Sequence, residues 1–181
     1  AFENSWPVVA GFHWHGYFEA AVTTRIRPRD IVVGRLLWTG VRLLVILVIF
    51  VVMAALLGAI ELAPGFGAVG PALLSGLVTG LLVQAVASHL FRSDQLANVF
   101  RYGVVPTFLF SGTFFPISQL PTLMQPLAWL TPLWHGVELS RAVALDEPTA
   151  APALVHLGAL VAMGALGFVL SARQFDRRLI S

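Results

Sequence analysis

Long stretches of this chain carry no charged side chain, and the charges that exist fall in short groups between them. Leu43 to Ile60 is eighteen residues without Asp, Glu, Lys or Arg, long enough for an apolar helix to cross a bilayer. With Arg35 and Arg42 trailing from one end, it predicts a span over 36–60. Glu61 to Gly67 holds the breakers Pro64, Gly65 and Gly67, and charge-free sequence then runs on to Phe91, predicting a second span over 69–91. Arg92, Asp94 and Arg101 mark a polar turn. Beyond it, 97–115 is long enough to cross once, kinked at Pro106, and 152–172 forms the last span before the tail of Arg173, Arg177 and Arg178.

Between the last two spans the pattern changes. Ser111 to Gly136 carries no charge, yet Pro116, Pro121, Pro126 and Pro132 interrupt it every five or six residues. One helix cannot run through prolines at this density, and broken helices persist at membrane depth only where protein or a water-lined cavity covers their backbone. The segment 116–142 therefore predicts short helices that dip into the membrane and return, with Trp129 and Trp134 suited to the interface. An external loop lying on the headgroups is the plainer alternative.

Four alternating spans distribute the arginines unevenly. Ten of eleven (Arg25, Arg27, Arg29, Arg35, Arg42, Arg92, Arg101, Arg173, Arg177 and Arg178) fall on one side, and Arg141 alone falls on the other. Positive residues stay inside, so that side and the C-terminus are predicted to be cytoplasmic and the proline-rich stretch external.

Composition agrees with a polytopic, all-α membrane protein. Hydrophobic residues make up 57%, charged residues 11%, and the mean hydropathy is +0.84. There is no cysteine, which excludes disulfides and thiolate chemistry, and no lysine, which excludes a phosphate-cradling Walker A loop. The chain is thus expected to bind no cofactor, with any ATP and Mg held by a partner. A pI near 9.9 raises nucleic acid as a partner, but arginines scattered between apolar runs are those of membrane-facing loops.

Candidate chemistry is sparse. His13 and His15 point about 200° apart on a helix and have no ligand set around them. His89, His135 and His156 stand singly and read as packing or interfacial histidines. No Gly-Xaa-Ser-Xaa-Gly elbow surrounds Ser75 or Ser111, so an intramembrane hydrolase has no nucleophile site. Gly76 and Gly80 have the spacing of a close helix-packing face. Glu138 and Arg141, at i and i+3, read as an ion pair. Residues 1–18 look like the end of a helix whose beginning is missing. Residues 19–35 are short and basic, turned at Pro28, with Asp30 suited to cap the helix that follows.

Three stretches resemble the ABC-2 family of transporter permeases, in particular its nodulation lipo-oligosaccharide and daunorubicin-resistance exporter branch. They are Phe2-Glu3 with Tyr17-Phe18-Glu19-Ala20, then Arg29-Asp30-Ile31-Val32-Val33-Gly34-Arg35-Leu36-Leu37-Trp38, and Phe110 to Ile117 continued through Leu130 to Ala142. The resemblance implies the type V exporter-like transmembrane fold, with re-entrant helices before the last span, of which this chain would be a C-terminal part. It implies a second permease copy (homodimer or a related permease) and a separate ABC ATP-binding subunit. It also implies a coupling turn at Ala20, Thr23, Thr24, Arg25, Ile26, Arg27, Pro28, Arg29 and Asp30. The re-entrant gate falls on Phe114, Phe115, Pro116, Pro121, Trp129, Pro132, Trp134, His135, Glu138 and Arg141. Arg25 stands where many relatives have proline.

The expected function is a permease subunit in the bacterial cytoplasmic membrane, not itself an enzyme. It would export an amphipathic or lipid-linked substrate (lipo-oligosaccharide, polysaccharide or drug) among membrane lipids. An ATP-independent transporter or channel is the alternative, although such proteins usually carry mid-membrane ionisable groups, and His156 is the only candidate here.

Overall fold

A computed structural model describes residues 5–13, 18, 23, 26–90, 93–114, 117–122 and 125–180, and every regular element among them is helical. Three helices dominate: α2 (Pro28–Leu56), α3 (Leu62–Ala87) and α8 (Ala153–Ile180). Each is long and apolar enough to cross a membrane. At 1.5 Å per residue they reach about 40 Å, more than the roughly 30 Å hydrocarbon core. The shorter elements are α1 (Trp6–His13), α4 (Ser93–Val99), α5 (Val105–Leu109), α6 (Gln125–Trp129) and α7 (Pro132–Leu145).

Helix α2 begins at Pro28, earlier than hydropathy alone places it. Proline at the first helical position forfeits no hydrogen bond, and its fixed φ already suits a helix. The Asp30 carboxylate accepts the Arg27 backbone N–H at 2.9 Å, satisfying a donor just outside the helix. Asp30 thus caps α2 from its first turn rather than from in front of it. Residues 28–35 of the expected coupling segment are the first two turns of this helix.

Helix α3 is the core of the molecule, burying Val69, Ser75, Val78, Leu81, Val83 and Gln84 among others along its length. It packs against α2, α7 and α8, and small residues set how closely. A Cβ at Gly167 of α8 would lie 3.1 Å from Leu81 Cβ and 3.2 Å from the Leu82 nitrogen; one at Gly136 of α7 would overlap the Ser75 side chain. Helix backbones without Cβ atoms gain dispersion contacts, the main attraction available when lipid is as apolar as the core. The predicted Gly76/Gly80 face behaves this way: Gly80 is buried and Gly76 lies against Leu43 of α2.

Two apolar clusters hold the bundle together. Val8, Val9, Phe18, Val32, Leu81, Ala87 and Phe175 join α1, the start of α2 and the ends of α3 and α8. Val78, Leu139 and Leu160 join α3 to α7 and α8. The remaining face of α2 is unsheltered, with Leu37 and Trp38 each 65% exposed, as suits side chains meeting acyl tails.

The predicted crossing over 97–115 takes a broken form. Helical backbone runs from Ser93 to Leu109, but Phe100–Val104 is a π-helical turn in which the Val105 N–H reaches the Phe100 carbonyl. Pro106, two residues past its end, has no N–H, and its ring would press on the carbonyl four residues back. The wider turn makes room for it, so the break around Pro106 includes a π bulge. The helix ends at Leu109, and Gly112, at φ 81°, turns the chain as only glycine does without strain.

Candidate functional site

The residues singled out from the sequence separate to the two ends of the bundle. At one end, Ile26, Arg27, Arg29 and Asp30 are exposed around the start of α2, Thr23 is exposed before it, and Pro28 is buried beneath. Ala20, Thr24 and Arg25 lie outside the described residues, as do Phe115 and Pro116 of the other set.

At the opposite end α7 is the hub. Its start is fixed locally: Pro132 occupies the first helical position and the Thr131 hydroxyl accepts the Trp134 N–H at 3.4 Å. The same hydroxyl donates to the Ala128 carbonyl at 2.7 Å, so one side chain closes the corner between α6 and α7. Helix α7 buries Pro132, His135, Gly136 and Leu139 at the i, i+3, i+4, i+7 spacing of a single helical face, and Asp146, at φ 54°, ends it in the left-handed conformation.

From this helix three side chains reach outward. The Arg141 guanidinium donates to the Thr113 carbonyl at 3.4 Å, tying α7 to the loop after α5. Glu138 accepts the Ala150 backbone N–H at 2.9 Å and so holds the loop before α8. The expected Glu138–Arg141 ion pair does not form, because each long side chain finds a backbone partner on a different loop. His135 Nε2 lies 3.0 Å from the Trp129 carbonyl, which can only accept, so this nitrogen carries the proton. His135 Nδ1 then offers a lone pair to His156 Nδ1 of α8, 2.9 Å away, and His156 is the donor.

His135 and His156 are therefore not single packing histidines but one hydrogen-bonded relay from α6 through α7 to α8. Both are buried, with 5% and 0% of their surface exposed. Trp134 stacks beside them, its ring 4.8 Å from His135 and 5.0 Å from His156. It is buried too, whereas Trp129 is half exposed. The Trp134 indole N–H and His156 Nε2 are buried without hydrogen-bond partners. Pro121 and Phe114 are exposed, and Phe114 meets Phe108 edge-on at 5.1 Å.

Sequence reasoning missed a groove of about 350 Å³ between α3 and the run Val99–Phe108, closed at one end by Pro132 and Leu133. Its two hydroxyls are already committed: Thr79 donates to the Ser75 carbonyl at 2.8 Å and Thr107 to the Gly103 carbonyl at 2.7 Å. The lining therefore presents an apolar surface, shaped for a hydrocarbon chain rather than a polar ligand. No group of three His, Cys, Asp or Glu able to hold a metal occurs among the described residues.

Comparison with known proteins agrees with this architecture. The chain is 32% identical over 164 residues to nodulation protein J of Sinorhizobium fredii, covering 91% of this chain and 62% of that protein. It is 31% identical over 179 residues to nodulation protein J of Bradyrhizobium diazoefficiens, and 28% identical over 179 residues to that of Rhizobium meliloti. Each of these two alignments covers 99% of this chain and 68% of the relative, so the chain spans about two thirds of the length of the proteins it matches. No solved structure matches it. Residues 7–145, which run from α1 to the end of the α7 hub, match the family described as ABC-2 type transporter. With that match covering most of the chain, and three membrane-length helices around it, this membrane-embedded chain belongs to the ABC-2 type transporter family.

Proposed function

We propose that the chain forms the membrane-spanning permease part of an ATP-binding-cassette exporter in the bacterial cytoplasmic membrane, with its C-terminus inside. A separate ATP-binding subunit would supply ATP and Mg, and a second permease copy would complete the pathway. The observation that carries this reading is the division of the bundle. An exposed basic segment, Ile26 to Asp30, stands at one end of α2, and a broken-helix hub stands at the far end of the helices packed on it.

Closure of an ATPase dimer would push on the first turns of α2. Because α2 packs on α3, and α3 on α7 and α8, the displacement reaches the hub through rigid elements. In this reading 116–142 forms the re-entrant gate, with α6 and α7 as its helices. The groove between α3 and Val99–Phe108 suits the hydrocarbon part of an amphipathic or lipid-linked substrate. Coupling requires the ATP-bound and ATP-free subunits to contact the permease differently, because equal contacts shift no equilibrium.

Co-purification of the full-length permease with the ATP-binding subunit tests this. Replacing Arg25, Arg27 and Arg29 with glutamine is expected to weaken the complex and abolish substrate-stimulated ATP hydrolysis. A well-folded permease that binds no ATPase would refute the reading.

A further inference from the structure

A cleft of about 570 Å³ lies between the first turn of α2 and the last turns of α8. Its cationic side is Arg27, Arg29 and Arg173, brought together from opposite ends of the chain, and its wall is Phe168, Val169 and Ala172. All three guanidinium-bearing residues are exposed, and none makes an ion pair among the described residues. Asp176, the one carboxylate in the lining, lies a turn beyond Arg173, leaving the mouth net positive.

Depth distinguishes the occupants. Phe168 lies five residues before Arg173 on α8, about 7 Å further along the axis into the apolar part of a membrane-length helix. The cleft therefore grades from hydrocarbon contact to cationic mouth along one helix. An acidic loop of a soluble protein would match the arginines but would leave the wall facing acyl tails. A phospholipid matches both, since guanidinium groups bind phosphate oxygens bidentately, and basic pockets between membrane helices accept anionic headgroups.

We propose that this cleft seats one anionic phospholipid, its phosphate held between Arg29 and Arg173 and an acyl chain lying on Phe168, Val169 and Ala172. Lipid held there would bridge the start of α2 to the end of α8. The inference does not depend on ATP coupling, and its test reads lipid rather than transport.

Full-length permease purified in detergent is titrated with phosphatidylglycerol and, separately, phosphatidylcholine, and bound lipid is counted by native mass spectrometry. Wild type is expected to retain phosphatidylglycerol in preference to phosphatidylcholine. Arg173→Gln should weaken phosphatidylglycerol about five-fold, the effect of one cation near a membrane surface. Arg173→Lys should keep most of the affinity, and Arg177→Gln, outside the cleft, should keep all of it. If Arg173→Gln fails to fold, Arg29→Gln, on the opposite wall, is read in its place. Equal retention of the two lipids by wild type would overturn the proposal. Equal losses in Arg173→Gln and Arg177→Gln would do the same, because the effect would then belong to overall charge.

Discussion

Replacing His156 with phenylalanine keeps a ring of similar size beside Trp134 and removes a single donor, the Nδ1–H that reaches His135 at 2.9 Å. His135 is then left with a buried acceptor that nothing satisfies, since its other nitrogen is committed to the Trp129 carbonyl at 3.0 Å. Leaving one buried polar atom unpaired costs about 1–3 kcal/mol, part of which is offset because the substitution also removes the unpartnered His156 Nε2. For a chain of this size that is a fall in Tm of roughly 2–4 °C per kcal/mol. His135→Phe is worse, because it strands the His156 N–H and the Trp129 carbonyl together.

The double variant is the informative one. With both imidazoles gone only the Trp129 carbonyl lacks its donor, so the double variant should be no less stable than His135→Phe alone. The coupling energy between the two positions is expected at about 1–2 kcal/mol, since removing both partners of a buried hydrogen bond costs far less than removing one. Equilibrium unfolding in mixed micelles, followed by tryptophan fluorescence, measures all four corners of the cycle. Costs that add to within about 0.5 kcal/mol would mean that the relay does not join α7 to α8.

Gly136→Ala should destabilise the fold by about 1–3 kcal/mol, because its methyl would overlap Ser75 on α3. Ser75→Gly should restore thermal stability more fully than Ser75→Ala, since both the serine Cβ and its Oγ obstruct and alanine removes only the second. Gln84 is fully buried with neither amide atom bonded, so Gln84→Leu is expected to raise Tm; a fall would refute the absence of a partner. Thr131→Ala removes the cap of α7 and should cost about 1 kcal/mol by chemical unfolding. Gly103 has open space where a side chain would begin, so Gly103→Phe should partly fill the groove and lower the proposed export with little change in Tm.

Much of the helical framework was legible because lipid imposes a simple rule: charge-free sequence of sufficient length becomes a helix. That rule locates α2, α3 and α8, although α3 begins at Leu62, so Pro64, Gly65 and Gly67, read as breakers of a loop, lie in its first turns, where proline costs no helical hydrogen bond. It misplaces the start of α2 because Arg29, Asp30 and Arg35 are polar and the start signal is local, residing in Pro28 and Asp30. The Glu138–Arg141 pair failed for a different reason: its spacing was right, but backbone partners on two loops won both side chains. The histidine relay joins residues 21 apart on different helices, and no periodicity reports such a contact. A partial signal did exist in Pro132, His135, Gly136 and Leu139, whose spacing turns His135 inward.

The π turn at Phe100–Val104 makes this stretch tolerant of a change in length. It stores one residue more than an α-helical turn needs, so deleting a residue there restores ordinary i to i+4 bonding instead of ending the helix. The following piece, Val105–Leu109, would then rotate by about 100°, one residue's worth of helical turn, and present a different set of side chains to the groove. Gain or loss of one residue here therefore changes what the groove wall displays while leaving its scaffold standing.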